Sequence, residues 1–295
     1  MPAWFTENLH TDLGQRLRID EVICEHTTAF QTLLIFRNKL LGKVLVLDGI
    51  IQTTEADEFI YHEMLCHVPI LAHGHPKTVL IIGGGDGGIL REVLKHRSVE
   101  KVILVELDSK VIEICKKHLP SLSAGAFEDP RLELIIGDGY QYVMLTDQTP
   151  DVIIVDSPDP VGPASKLFSS QFYQNCQRIL STTGVLVTQN GVPFVQEAEL
   201  LNSANLLSQN FHDVTFYLAP VPTYQGGAMA FGWASNSPEL RKISLGELER
   251  RFTGSALSTS YYDPAIHLSC FTTPKWISNL LDNSEPQNLD PQPRA

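Results

Sequence analysis

Asp86 lies inside Gly83-Gly84-Gly85-Asp86-Gly87-Gly88, a glycine run fed directly by the apolar stretch Thr78-Val79-Leu80-Ile81-Ile82 and followed by the amphipathic Ile89-Leu90-Arg91-Glu92-Val93-Leu94. Glycines let a backbone turn sharply at the carboxyl end of a strand and come close to a ligand. Such a run is weak evidence alone, because many glycine-rich stretches are only tight turns. Here the next apolar run ends on Glu106, about 20 residues on, where an acid accepts hydrogen bonds from both ribose hydroxyls of a nucleotide. The run after that leads to Asp138-Gly139, an acid placed to receive the exocyclic amine of adenine. Acids at three successive strand ends point to an adenosine ligand. Charge narrows the choice. A dinucleotide pyrophosphate wants backbone N–H groups and no nearby carboxylate, so Asp86 argues against NAD or FAD. Intact S-adenosylmethionine would bring its own carboxylate against Asp86, whereas a decarboxylated analogue presents only an ammonium. Asp86 could equally cap the helix that follows, a role compatible with binding.

A second acidic segment, Asp156-Ser157-Pro158-Asp159-Pro160-Val161-Gly162-Pro163, follows the buried-type run Val152-Ile153-Ile154-Val155. Three prolines stiffen it, so Asp156 and Asp159 are held in place without a helix. No His or Cys joins them at ligand spacing along the chain, and no metal is expected.

The elements that must position these acids divide into two rhythms. Residues 1–54 are β-like: Leu17-Arg18-Ile19-Asp20 begins an alternation, Gln31 to Phe36 forms a further run, and Val44 to Leu47, Asp48-Gly49 and Ile50 to Thr53 predict a hairpin around a tight primed turn. Residues 55–76 carry a connecting helix, predicted over Ala56 to Leu71 with Pro69 near its end, and a linker. From 77 to 282 strand and helix patterns alternate. Strands are predicted at Thr78–Ile82, Val102–Leu107, Leu132–Ile136, Val152–Asp156 and Gly184–Gln189, with Val214–Leu218 and Ala228–Ala234 completing the sheet. That alternation predicts an α/β fold, a doubly wound and mostly parallel sheet behind a small N-terminal antiparallel β domain. The polar, proline-rich stretch 283–295 is predicted to be a disordered tail.

Composition excludes several function classes. The chain carries 34 Asp plus Glu against 22 Lys plus Arg, a formal net charge of −12, which repels a phosphate backbone and favours a cationic partner. Nucleic acid is therefore not expected as a partner. No apolar run approaches the roughly 20 residues of a membrane span. Met1 to Glu7 has no basic segment followed by an apolar stretch, so a cytoplasmic protein is predicted. Cys24, Cys66, Cys115, Cys176 and Cys270 are scattered and read as reduced thiols.

With these residues in view, the sequence resembles the spermidine synthase family, bacterial type, from about Trp4 to beyond Trp233. The motifs that carry the resemblance are Tyr61-His62-Glu63-Met64, the Gly83 to Gly88 loop, Glu106-Leu107-Asp108, Gly137-Asp138-Gly139, the Asp156 to Pro163 segment, Gln189-Asn190-Gly191 and Pro222-Thr223-Tyr224. The resemblance implies a Rossmann-like class I methyltransferase fold behind the β domain, and transfer of an aminopropyl group from decarboxylated S-adenosylmethionine to putrescine. Spermidine and methylthioadenosine would be the products. No cofactor is implied, the donor being a co-substrate. Asp156 matches the general base of a direct in-line displacement. Asp86, Asp159, Tyr61, His62 and Tyr224 match positions that bind or line the path of the amine substrates. Gln31, Glu106, Asp138, Gly139 and Pro163 match contacts to the nucleoside. A homodimer or homotetramer built partly through the β domain is also implied. Pro158 departs from the pattern, since many members carry Ser or Thr there. Methyl transfer from intact S-adenosylmethionine to a small amine and a non-catalytic polyamine or nucleoside sensor are the competing readings.

Overall fold

The computed structural model describes residues 3–159 and 162–282, with the side chains of Gly162 and Pro163 also excepted; the tail predicted at 283–295 lies outside the described residues. The chain opens with six antiparallel strands: β1 (Ala3–His10), β2 (Leu13–Ile19), β3 (Glu21–Thr27), β4 (Thr32–Asn38), β5 (Gly42–Leu47) and β6 (Ile50–Thr54). β1 and β2 pair as a hairpin, and β3 to β6 form a four-stranded sheet in chain order. The predicted primed turn joins β5 to β6, with positive φ at both Asp48 (49°) and Gly49 (79°). Asp48 Oδ1 also accepts hydrogen bonds from Thr32 N (2.7 Å) and Thr32 Oγ1 (3.0 Å), which ties the turn to β4.

Strand β1 is one the hydrophobic pattern does not announce, because its buried side chain is an acid. Glu7 is buried and accepts from Ile51 N (2.7 Å) and from Gln15 Nε2 (2.7 Å), locking the hairpin onto β6. Helix α1 (Glu58–His73) then runs past Pro69, two residues further than predicted, and stops at Gly74 with φ 94°.

The α/β part runs β7 (Thr78–Gly83), α2 (Gly88–Leu94), β8 (Lys101–Glu106), α3 (Ser109–His118), α4 (Pro120–Ser123), β9 (Leu132–Ile136), α5 (Gly139–Leu145), β10 (Val152–Asp156), α6 (Ser170–Ile179), β11 (Val185–Gln189), α7 (Glu197–Ser208), β12 (Asp213–Ala219) and β13 (Met229–Ser235). The seven strands lie in the order β12-β13-β11-β10-β7-β8-β9. β13 alone runs against its neighbours β11 and β12, so the sheet is mostly parallel, as the alternating pattern requires. Side chains of α1 and α2, including Met64, Leu65, Val68, Ile89, Leu90 and Val93, cover one face. Phe172, Tyr173, Cys176 and Ile179 of α6, with Val143 of α5 and Leu207 of α7, cover the other.

Three further helices, α8 (Leu245–Ser255), α9 (Pro264–Cys270) and α10 (Lys275–Asp282), complete the described chain. They are held partly by a single buried acid of α1. Glu63 accepts from the backbone N–H groups of Ser260 (2.7 Å), Tyr261 (2.8 Å) and Tyr262 (2.7 Å).

Asp57, at the head of α1, joins the two parts of the chain. Its carboxylate accepts from Thr54 Oγ1 (2.6 Å) and, across 166 residues, from Thr223 N (2.7 Å) and Thr223 Oγ1 (2.5 Å). Removing a buried acceptor of three hydrogen bonds leaves its donors unpaired. Asp57→Ala is expected to lower the urea unfolding free energy by about 3 kcal/mol; an unchanged midpoint would mean that the junction does not depend on this residue.

Candidate active site

Strands β7 and β10 are neighbours, yet the chain leaves them in opposite directions across the sheet, β7 towards β8 and β9, β10 towards β11. Ligands of open parallel sheets bind at this kind of switch point, beyond the carboxyl ends of the strands. Gly83 and Asp156 are direct register partners there, which sets the glycine loop and the acidic segment side by side. Gly83 has φ 84°, and a Cβ on it would lie 2.1 Å from the carbonyl oxygen of Asp156. The same oxygen accepts from Gly84 N at 3.1 Å. Only glycine permits that approach.

Between this edge and the N-terminal strands lies a cavity of about 740 Å³. Gln31, Tyr61, His62, Asp86, Glu106, Asp138, Gly139, Asp156, Asp159 and Tyr224 all line it, so the residues singled out in the sequence are brought together, Pro163 excepted because its side chain is not among those described.

The acids differ in what surrounds them. Asp156 Oδ1 accepts from Tyr61 Oη at 2.5 Å. Burial, with the charge of Asp86 added, pushes its carboxyl up to about 6. Asp86 is subject to the same burial, but the His62 ring, with Nε2 3.5 Å from Oδ2, holds it below the usual carboxylate range. Asp86 also accepts from Gly88 N (2.8 Å), the first residue of α2, whose N-cap is Gly87. Glu106 accepts from Asp108 N (2.9 Å), and burial raises it to about 7. Asp138 caps α5, accepting from Tyr140 N (2.8 Å) and Gln141 N (3.4 Å). Asp159 accepts from Gln189 Nε2 (3.2 Å).

The aromatic wall is tied to the β domain. Tyr224 donates to the carbonyl of Gln52 (2.5 Å), and its ring stands edge-on to Tyr61 with centroids 6.1 Å apart. Gln31 reaches across from β4's entry to donate to Asp108 Oδ2 (3.2 Å), beside the donation from Thr28 Oγ1 (2.7 Å). Next to the unusual Pro158, Ser157 lines the cavity, and its buried hydroxyl has no hydrogen-bond partner among the described residues.

In one respect the space differs from the sequence spacing. His62 brings a ring nitrogen within 4.8 Å of both Asp86 and Asp156, a grouping that the chain order hid. Nδ1 of His62 lies 2.5 Å from Glu58 Oε2 and Nε2 lies 3.5 Å from Asp86 Oδ2, so both ring nitrogens face carboxylates. A second group, Cys66, His67 and His96, is fully buried between α1 and α2; the two imidazoles already bond each other (Nδ1 to Nε2, 2.9 Å).

Residues the sequence reading did not assign to the site are Glu58, Arg91 and Gln189. Gln189 was legible only as part of a motif; the other two act from behind the cavity wall, and only the fold shows it.

The family model described as the spermine/spermidine synthase domain matches residues 58–243, and the one described as the spermidine synthase tetramerisation domain matches residues 3–55. The chain belongs to the spermine/spermidine synthase family. A polyamine aminopropyltransferase of Serratia proteamaculans is 50% identical over 281 residues, 95% of this chain and 98% of that protein. One from Erwinia tasmaniensis is 50% identical over 94% of this chain and 97% of its own length. Among solved structures, a spermidine synthase in complex with the transition-state analogue AdoDATO superposes with a TM-score of 0.91 at 38% identity, covering 96% of this chain and 97% of that one. The spermidine synthase of Thermotoga maritima gives 0.88 at 38% identity, covering 96% of each. The protein is thus an aminopropyltransferase with the Rossmann-like fold of its family. Among the described residues no helix is long and apolar enough to cross a membrane.

Among the described residues the Tyr61 hydroxyl is the hydrogen-bond donor that, with the charge of His62, holds Asp156 down against burial. Tyr61→Phe is expected to raise the Asp156 midpoint above about 6, measured by carbon-13 NMR of the labelled carboxyl. A midpoint that stays or falls would show that the hydroxyl does not bond the ionised form.

Proposed function

We propose that this site transfers the aminopropyl group of decarboxylated S-adenosylmethionine to putrescine, giving spermidine and methylthioadenosine. The observation that carries the reading is the pair of carboxylates, Asp86 and Asp156, facing one cavity from adjoining strand ends. Acids so placed call for cations, and both proposed substrates bring them.

The donor's nucleoside is assigned to the β8 side, with Glu106 on the ribose, Asp138 and Gly139 at adenine, and Gln31 and Pro163 as further contacts. Its ammonium is assigned to Asp86. A carboxylate in place of hydrogen at that carbon would meet Asp86 as a like charge, which disfavours intact S-adenosylmethionine. The acceptor is assigned to Asp156, Asp159, Tyr61 and Tyr224, with His62 beside them. Its amines have pKa values of about 10, so the attacking nitrogen must lose a proton. Asp156 takes that proton. A carboxyl near 6 is a better base than an ordinary one but still well below the free amine, so desolvation and the donor's sulfonium must lower the amine as well. The free amine then attacks the methylene next to sulfur. The C–S bond breaks as the C–N bond forms, and methylthioadenosine leaves neutral. Holding both reactants in line supplies much of the acceleration. No metal or redox cofactor takes part in this scheme. Matching of residues 3–55 to a tetramerisation domain supports assembly through the N-terminal strands, and a cytoplasmic location goes with the substrates.

Mass spectrometry of products from putrescine with each donor tests the reaction. Spermidine and methylthioadenosine from the decarboxylated donor are expected; methylputrescine from intact S-adenosylmethionine alone would replace this reading by methyl transfer, and binding without turnover would make the protein a sensor. Asp156→Asn is expected to abolish turnover while leaving methylthioadenosine binding within a few-fold, checked by calorimetry. Because the base works deprotonated, kcat/KM should fall about tenfold per pH unit below pH 6. Asp86→Asn removes a charge that raises Asp156, so the remaining activity should show that limb at lower pH. A limb that is unmoved would separate the two acids.

A further inference from the structure

The cavity's charges do not end at its lining. Behind Asp86 and His62 a chain of ionic contacts continues to Glu58 and Arg91, residues to which no substrate is assigned. Arg91 of α2 holds Glu58 of α1 with two nitrogens, Nη1 to Oε1 at 3.0 Å and Nη2 to Oε2 at 2.8 Å. Arg91 is itself anchored by the carbonyls of Ser121 and Leu122 and by Glu92, so it cannot swing away. Glu58 Oε2 lies 2.5 Å from His62 Nδ1 one turn along the helix, and His62 Nε2 lies 3.5 Å from Asp86 Oδ2. The His62 ring is 2% exposed. Even its backbone neighbour yields room: a Cβ on Gly88 would lie 2.2 Å from the ring.

A neutral imidazole has one N–H and one lone pair, and between two carboxylates its lone pair would face a negative oxygen. The ring is therefore suited only to the doubly protonated state. Burial works against that charge, yet Asp86 and Glu58 outweigh it and raise the ring to about 10. The charged groups packed around it are Glu58 on α1, Asp86 in the glycine loop and Asp156 after β10, with Arg91 behind Glu58; Tyr61 adds a titratable neighbour on α1.

We propose that Glu58 is a positioning residue which, through His62, keeps a fixed cation beside Asp86 so that Asp86 and Asp156 can be ionised together before any amine arrives. Arg91 to Asp86 is then an alternating row of charges, positive, negative, positive, negative, with Asp156 as the next acid beyond it. Without the imidazolium the two cavity acids would share one proton, as close carboxylates do. The base would be protonated at neutral pH. This inference rests on the assignment of Asp156 as base, but its physical content is a charge state that can be observed without turnover.

Long-range proton–nitrogen NMR on the intact apo protein reads the His62 ring directly. The expected result is a doubly protonated ring at pH 8; a neutral ring there overturns the proposal. Glu58→Gln keeps the shape of the contact and removes its charge, and is expected to lower the His62 midpoint by about one pH unit or more. His62→Gln is expected to move the Asp156 carboxyl midpoint up by about one pH unit, and the acid limb of kcat/KM with it, while kcat at high pH is lost only in part. A merely structural role would lower kcat at every pH and leave both midpoints where they were, which would refute the inference. Should no aminopropyl transfer be found in the wild type, the two NMR midpoints still decide the charge row, so that failure and this one are told apart.

Discussion

Two carboxylates at adjoining strand ends, facing one cavity and largely out of water, set the terms for everything near them. Like charges in such a place repel strongly, and each alone would prefer to hold its proton. Asp86 escapes through His62 and falls below the ordinary carboxylate range, while Asp156, next in line, rises to about 6. The site is thus built as an acceptor of positive charge. An aminopropyl transfer moves one positive charge from sulfur to nitrogen and removes a proton on the way, and this arrangement of acids matches that need.

Register between Gly83 and Asp156 at the switch point brings the two loops together, and the absence of a side chain on Gly83 lets the backbones touch. The N-terminal strands roof the site through hydrogen bonds that cross the domain junction, from Thr223 to Asp57 and from Tyr224 to Gln52. Several of the acids do double duty. Asp108 and Asp138 each cap a helix while lying beside or at the cavity, and Asp86 accepts from the first N–H of α2 while facing it.

Much of this was legible in the sequence because it is local. Asp48-Gly49 announces its turn, and acids following apolar runs announce strand ends. What was hidden is long-range. Strand order in the sheet, and with it the nearness of Gly83 to Asp156, is not a property of any short segment. β1 hides because Glu7, its buried residue, breaks the apolar alternation. His62 was visible as part of a motif, yet its two carboxylate partners come from one turn back and from 24 residues ahead. The C-terminal helices depend on Glu63, about 200 residues away from the N–H groups it satisfies.

The most direct test of the charge argument is calorimetry of putrescine binding to the protein loaded with methylthioadenosine, run at pH 6 in buffers of different ionisation enthalpy. At pH 6, near its own midpoint, part of the Asp156 population still holds a proton; a bound cation drives that fraction to ionise, and binding must release protons to the buffer. Heats that do not depend on the buffer, or net proton uptake, would contradict the account.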